Sequence, residues 1–167
     1  MKELREIRDA VIRALREGGL AAEAAFPSKW AAGGRKALAT VSVGAVEGRN
    51  IGFCGYLGET RDSSGEVLEV YGKRLEGTIS VDVWAERAGE CDRGGETAAA
   101  VLLEGLPEGI RPGELCWEGL AWDQKTGLFL RRGRLRCEAL FLAESKEEAG
   151  AFQEFRLKGE LRSEQFA

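Results

Sequence analysis

The chain of 167 residues has no histidine. Without an imidazole there is no Ser-His-Asp triad, no Cys-His pair and no histidine ligand for a metal. Carboxylate or lysine chemistry stays open in principle, but the acidic residues are scattered and no spacing pairs two of them. Asp82 lies on a strand and Asp123 in a turn. We therefore predict no catalytic residue, no cofactor and no enzymatic activity.

A cysteine motif is also missing, because no two cysteines are arranged as CxxC. The four cysteines are Cys54, Cys91, Cys116 and Cys137. Their spacings match no compact zinc-ligand motif, so we predict no metal site. In a protein that stays in the cytoplasm we expect four reduced, mostly buried thiols.

Long apolar runs and an excess of basic charge are absent as well. No run approaches the roughly 20 apolar residues that span a bilayer, and residues 1–16 lack the hydrophobic region of a signal peptide. We expect a protein of the cytoplasm without a membrane partner. With 24 Lys and Arg against 28 Asp and Glu, the net charge is −4, which argues against a dedicated nucleic-acid binder.

The hydrophobic periodicity predicts one α+β domain. Residues 3–17 and 92–105 have helical spacing, while residues 37–46, 74–86, 114–122 and 128–143 alternate as strands. Because short turns join most strands, we expect a mostly antiparallel β-sheet with the helices packed on one face. We assign residues 1–145 to this domain. Residues 146–167 form a C-terminal extension, either an edge strand or an arm.

Residues 52–59 read GFCGYLGE and place large apolar side chains on a glycine-rich backbone. The stretch fits a ligand loop, a bulged core strand, or a surface that contacts another chain. No Lys-Ser/Thr follows the glycines, so a phosphate loop is disfavoured. We place the stretch at the end of a hairpin, as the strand that returns after the turn at residues 47–50.

Arginines and aromatic residues supply the other candidates for contacts. Four arginines occur within residues 131–136; they fit a phosphate-binding patch, or a solvated strand face with salt bridges between subunits. Tryptophans in loops or on outward strand positions fit contact surfaces, although a core plug explains Trp30 equally well. The candidate subunit-interface residues are Trp30, Phe53, Tyr56, Leu57, Trp84, Arg134 and Arg136.

The order of elements and three phrases resemble small tail proteins of Firmicutes prophages, in particular the tail terminator family of long-tailed phages. The phrases are GYLGE at residues 55–59, the strand start YGKRLE at 71–76, and the turn WDQKTGLF at 122–129. The resemblance covers roughly residues 1–145. None of the phrases is a catalytic signature.

The resemblance implies an α+β subunit that assembles into a six-membered homo-oligomeric ring in the virion tail. Such a ring caps the tail tube, ends tube polymerisation and meets head-completion or connector proteins, while DNA only passes through its hole. No cofactor is implied. Alternatives are a tube protein, a head–tail connector, or a small cytoplasmic enzyme with a pocket around Cys54 or Asp82.

Overall fold

The computed structural model describes residues 2–28, 30, 36–146 and 155–157. The elements in chain order are α1 (Lys2–Glu17), β1 (Ala21–Glu23), β2 (Leu38–Asn50), β3 (Tyr56–Arg61), β4 (Val67–Ala85), α2 (Ala88–Glu104), β5 (Ile110–Trp117), β6 (Ala121–Asp123), β7 (Leu128–Lys146) and β8 (Phe155–Leu157). The predicted α+β class and the mostly antiparallel sheet are confirmed.

All described strands belong to a single sheet built around β4 and β7. These two strands, each of 19 residues, pair antiparallel without a register shift from Leu68 to Ala85. Strands β2 and β3 pair with the edge of β4 that faces away from β7. Strands β5, β6 and β8 pair with β7. The one parallel pair among the described strands joins β1 to β2.

Helix α1 forms because apolar residues repeat along one face, and it ends at two glycines. Gly19 has a φ of 89°, which an L side chain rarely adopts. The Leu20 amide donates to the Leu15 carbonyl at 3.0 Å, and the Gly19 amide donates to Arg16 at 3.0 Å. This Schellman motif stops the helix and buries Leu20 beside it.

The core lies between the two helices and one half of the sheet. On β4 the alternate residues Ile79, Val81, Val83 and Ala85 are fully buried, as a strand with one covered face requires. They pack with Val11 and Leu15 of α1 and with Leu102 of α2. Both helices therefore cover the same sheet face; we call the opposite face the helix-free face.

The sheet continues well beyond this core. Among the described residues, the helix-packed core includes no residue of β4 before Ile79. We call the part formed by β3, residues 67–77 of β4 and residues 140–146 of β7 the distal sheet. From Ile79 back to Val67 the chain extends about 40 Å at the usual rise of a strand. The distal sheet therefore projects from the helix-packed half.

The bounds of two strands differ from the sequence-based prediction. The strand expected at residues 128–143 continues to Lys146 as β7, and the strand expected at residues 114–122 begins earlier as β5, so that Pro112 lies within it. Strand β5 is interrupted by a register shift between Pro112 and Leu115, which accommodates the missing amide of proline near a sheet edge. The rest of residues 146–167 lies largely outside the described residues, so the proposed extension stays a prediction.

Candidate functional site

The glycine-rich stretch begins as a loop of five residues, 51–55, that leaves the sheet and returns to it. Residues on both sides pair with β4: Asn50 lies opposite Lys73 and Tyr56 opposite Tyr71. Gly72 is the one residue of β4 between these two pairs, and it lies opposite the loop. Its carbonyl accepts from the Ile51 amide at 3.3 Å, and its own amide donates to Gly55 at 2.7 Å. We call residues 51–55 the bulge loop.

The hairpin placement of this stretch was therefore wrong. Positive φ angles at Gly52 (67°), Cys54 (55°) and Gly55 (83°) turn the chain out and back, so that β3 continues in the direction of β2 along the same edge of β4. The hairpin turn follows at residues 62–66. There one oxygen of Asp62 accepts from the amides of Ser64 and Glu66 at 2.8 and 2.9 Å.

The tip of the bulge loop exposes Phe53. Its side chain is 88% accessible to solvent, far more than expected for a phenylalanine that serves packing within one chain. The Tyr56 amide donates to the Phe53 carbonyl at 3.0 Å, which adds a third backbone hydrogen bond to the loop. The exposed ring is thus held on a defined backbone.

Tyr56 and Leu57, the neighbouring interface candidates, have different surroundings. Tyr56 is 42% exposed, and its ring lies edge-on to Tyr71 with centroids 5.7 Å apart. Leu57 is half-buried and packs over Gly72, where an added Cβ would lie 2.5 Å from the Leu57 Cδ1 atom. Leu57 therefore already has a packing role inside the subunit, whereas Phe53 and part of Tyr56 face outward.

The candidates Trp30 and Trp84 meet in an aromatic cluster on the helix-free face. Phe26 lies between them, with its centroid 4.8 Å from Trp84 and 6.0 Å from Trp30. The Trp84 indole donates to the Thr40 hydroxyl at 3.0 Å, and the Trp30 indole donates to a Glu86 oxygen at 2.9 Å. Both tryptophans are half-buried, so most of their contacts lie within the chain.

The arginines of β7 divide between the two faces as the alternation predicts. Arg131 points toward α2, where its guanidinium lies 2.9 Å from Asp92. Arg132, Arg134 and Arg136 are exposed on the helix-free face, and we call them the arginine row. Arg134 lies 3.5 Å from Glu118. Among the described residues, Arg132 and Arg136 have no carboxylate within 4 Å.

A charged groove of about 700 Å³ crosses the helix-free face next to Arg136. Three glutamates lie in cross-strand register in this groove: Glu47 on β2, Glu76 on β4 and Glu138 on β7. Arg111 of β5 lies opposite Glu138. Like charges in directly opposite positions destabilise a sheet. Arg49 offsets part of this repulsion, at 3.9 Å from Glu47 and 3.8 Å from Glu76. Neither Cys54 nor Asp82 lines the groove.

The titratable groups show shifts with ordinary structural causes. Burial raises the pKa of Asp82, although Arg132 and Arg134 oppose the shift. Hydrogen bonds from the Thr126 hydroxyl and amide lower the pKa of Asp123. No group of three or more potential ligands that could hold a metal ion occurs in the described part of the chain.

The cysteines differ in part from the expectation that they are mostly buried. Cys91 and Cys137 are buried, and burial raises the pKa of both thiols. Cys54 and Cys116 are exposed. Cys54 sits at the tip of the bulge loop, and Cys116 takes the outward position between Leu115 and Trp117 on β5. All four are free thiols.

The groove and the role of Gly72 were not found from the sequence. Charged residues that line the groove come from β2, β4, β5 and β7, so only the register between strands shows that they are neighbours. Gly72 reads as an ordinary strand glycine until it is paired with the bulge loop. The single detectable signal was the mismatch between apolar side chains and glycines in residues 52–58.

Within the described residues, neither helix is long and apolar enough to cross a bilayer. No protein-family model and no curated protein matches the sequence. Among solved structures, the chain is similar to a chain from the virion of a native gene transfer agent particle. The TM-score is 0.40 and the identity 17%, over 80% of this chain and 94% of the other. A similarity at this level assigns neither a family nor a function.

Proposed function

We propose that this protein is a structural subunit of a phage-type tail that assembles into a closed ring. In this proposal the ring caps the tail tube, ends its polymerisation and joins the tail to the head, with six subunits as the expected number. The partners are further copies of the chain, the tail tube protein and a head-completion protein, and DNA passes through the hole without being read.

The observation that carries the proposal is the exposed Phe53 on the bulge loop. Full burial of a phenylalanine side chain contributes roughly 1.5–3 kcal/mol of favourable free energy. The exposed Phe53 of an isolated subunit gains almost none of this free energy. The loop backbone is already fixed by hydrogen bonds to Gly72, so docking orders few additional groups. An apolar anchor on a preformed loop is the kind of residue that dominates interface energies.

A closed ring needs two different surfaces on every subunit, because a head-to-tail contact joins unlike patches. The bulge loop supplies one of them at the edge of the distal sheet. Trp122 is 53% exposed on β6, near the opposite end and edge of the sheet. Since β6 pairs with the end of β7 that faces Ala85, the two aromatic side chains belong to distinct surfaces.

The test replaces Phe53 by serine and measures the mass in solution over a range of concentrations by light scattering, with negative-stain images of the largest species. We expect closed rings for the wild type and a shift to monomers for Phe53→Ser. The matched control is Leu103→Ser, because Leu103 is 49% exposed on α2, away from the bulge loop. We expect the control to assemble like the wild type.

Three results would count against the proposal. If Phe53→Ser still forms rings, the bulge loop does not belong to the contact between subunits. Open filaments of the wild type would favour a tube protein over a terminator. A wild type that stays monomeric even when tail tubes are added would contradict the capping function.

A further inference from the structure

The helix-free face changes in character along its two long strands. From the level of Asp82 outward, the residues of β4 on this face are first polar or charged, namely Asp82, Ser80, Thr78, Glu76 and Arg74. Toward the turn at residues 62–66, the next positions on the same face are Gly72, Val70 and Leu68. On β7 the face changes in parallel, from Arg132, Arg134, Arg136 and Glu138 to Leu140 and Leu142. Both strands change close to the pair formed by Arg74 and Leu140.

The outer part of this face carries a contiguous group of apolar side chains, which we call the apolar patch: Leu57, Leu68, Val70, Leu140 and Leu142. Gly72 lies at its centre, because an added Cβ there would lie 2.5 Å from Leu57 Cδ1 and 3.3 Å from Leu142 Cδ2. Leu68 is 8% exposed, and the other four are half-buried. Among the described residues, none of the five belongs to the core that the helices cover.

An apolar patch at this place needs a cover. A sheet face that meets water carries polar side chains, as the positions from Arg74 to Asp82 do. The apolar patch departs from this rule on the same two strands and the same face. A contiguous apolar surface of this kind marks a place where another segment or another chain docks.

The chain leaves its last described strand directly beside the apolar patch. Leu157, the final residue of β8, lies opposite Ala143 on β7, next to Leu142. Ten residues, 158–167 with the sequence KGELRSEQFA, follow and lie outside the described residues. Ten extended residues span up to roughly 33–36 Å, whereas β7, β4 and β3 together cover only about 10 Å across the sheet. The C-terminal segment is therefore long enough to cross the whole patch.

We infer that residues 158–167 fold back over the helix-free face and cover the apolar patch of their own chain, with Leu161 and Phe166 as the apolar side chains that dock. A segment tethered beside its site has an effective concentration in the millimolar range, which favours it over a second copy. The loop that joins β7 to β8 begins after Lys146, opposite Leu68 at the outer margin of the patch. The C-terminal segment begins at the level of the patch centre, so it is the better placed of the two.

The experiment introduces a thiol into the patch and measures its alkylation rate by mass spectrometry of the peptides. Val70→Cys places the thiol in the patch, and Ser80→Cys places a matched control on the polar part of the same face of β4. Both are studied in the full chain and in a chain that ends at Leu157. We expect truncation to raise the labelling rate of Val70→Cys at least about tenfold, the equivalent of about 1.4 kcal/mol of docking free energy. The rate of Ser80→Cys should not change.

Substitutions in the full-length chain separate docking from a general effect of truncation. Leu161→Ser with Phe166→Ser should raise the labelling rate of Val70→Cys as truncation does, because burial of the two apolar side chains drives the docking. Glu160→Ser with Glu164→Ser, in the same segment, should leave the rate unchanged. Slow labelling of the buried thiols Cys91 and Cys137 verifies that each variant is folded.

The inference is overturned if removal of residues 158–167 leaves the labelling rate of Val70→Cys unchanged. Protection that is lost on dilution of the full chain would also overturn it, because a second copy would then be the cover. A third contrary result is that Phe152→Ser raises the rate whereas Leu161→Ser with Phe166→Ser does not, which would assign the cover to the loop between β7 and β8. None of these results bears on the ring, which is tested through Phe53.

Discussion

At the scale of single residues, Asp82 is the clearest case of a group whose surroundings work against its charge. It lies on the helix-free face of β4, half-buried between Thr40 and Arg132. Burial raises its pKa above the ordinary value of 3.8 despite the nearby arginines. Ionising this carboxyl therefore costs more free energy in the folded chain than in the unfolded chain.

We predict that Asp82→Asn stabilises the protein at neutral pH. Below pH 3.8 the Asp82 carboxyl is protonated in both the folded and the unfolded wild type. The wild type loses stability as the pH rises through the pKa of Asp82 in the folded state. The advantage of the variant should therefore be small in acid and grow toward neutral pH. Urea unfolding at pH 3.5, 5 and 7, values chosen on either side of the ordinary pKa of Asp, measures it. A variant less stable than the wild type at pH 7 would contradict the prediction.

Residue orientations on β7 follow from the sequence alone. Arg134 and Arg136 are exposed, and Leu135 and Cys137 are buried, as the alternation predicts. The surroundings of Trp84 do not follow from the sequence. Its outward position on β4 is correct, but Phe26 packs edge-on against it and Trp30 stacks on Phe26. The contact spans more than fifty residues of chain, beyond the range of any local pattern.

At the scale of elements, the helices are predicted well because their signals are local. Helix α1 was expected at 3–17 and observed at Lys2–Glu17; α2 was expected at 92–105 and observed at Ala88–Glu104. The clean alternation indicated β4 over residues 74–86, and the strand also includes residues 67–73. Pairing with β7 along the whole strand keeps this segment extended.

Helix α2 packs closely on the sheet through Gly94. A Cβ at this position would lie 2.8 Å from Val83 Cγ1 and 2.9 Å from Ala37 Cβ. Neither neighbour is the end of a long flexible side chain. We predict that Gly94→Ala lowers the free energy of unfolding by about 1–3 kcal/mol through overpacking, although alanine favours a helix.

Gly89 provides the matched control on the same helix. A Cβ there would meet only the end of the Arg93 side chain, at 3.9 Å. Gly89→Ala should therefore be neutral or stabilising, by up to about 1 kcal/mol. The midpoint of denaturant unfolding measures the stability of both variants, provided that the slope m of the transition is unchanged. Equal effects of the two substitutions would show that α2 does not pack against the sheet as described.

At the scale of the whole molecule, the four thiols report on both folding and assembly. Cys54 and Cys116 are exposed, whereas Cys91 and Cys137 are buried with raised pKa values. Cys91 also donates to the Val83 carbonyl at 3.2 Å. We predict that two thiols react rapidly with an alkylating reagent in the native monomer and all four after unfolding.

The proposed assembly into a ring should change this labelling pattern in a specific way. Because Cys54 follows Phe53 in the bulge loop, its labelling rate should fall when the subunits associate, as measured by mass spectrometry of the peptides. Cys91 and Cys137 should label slowly in both states. If rings form and Cys54 still reacts at the rate of the monomer, the bulge loop does not lie in the contact.

The unbroken pairing of β4 with β7 also has a mechanical consequence. We expect a force applied at the turn of residues 62–66 to pass along two strands whose hydrogen bonds continue into the helix-packed core, so that this pair of strands resists bending. The neighbouring strands are different: β2 and β3 are separated by the bulge loop, and β5 shifts register after Pro112. We therefore expect small adjustments of curvature, which the proposed ring would require, to occur at these flanks.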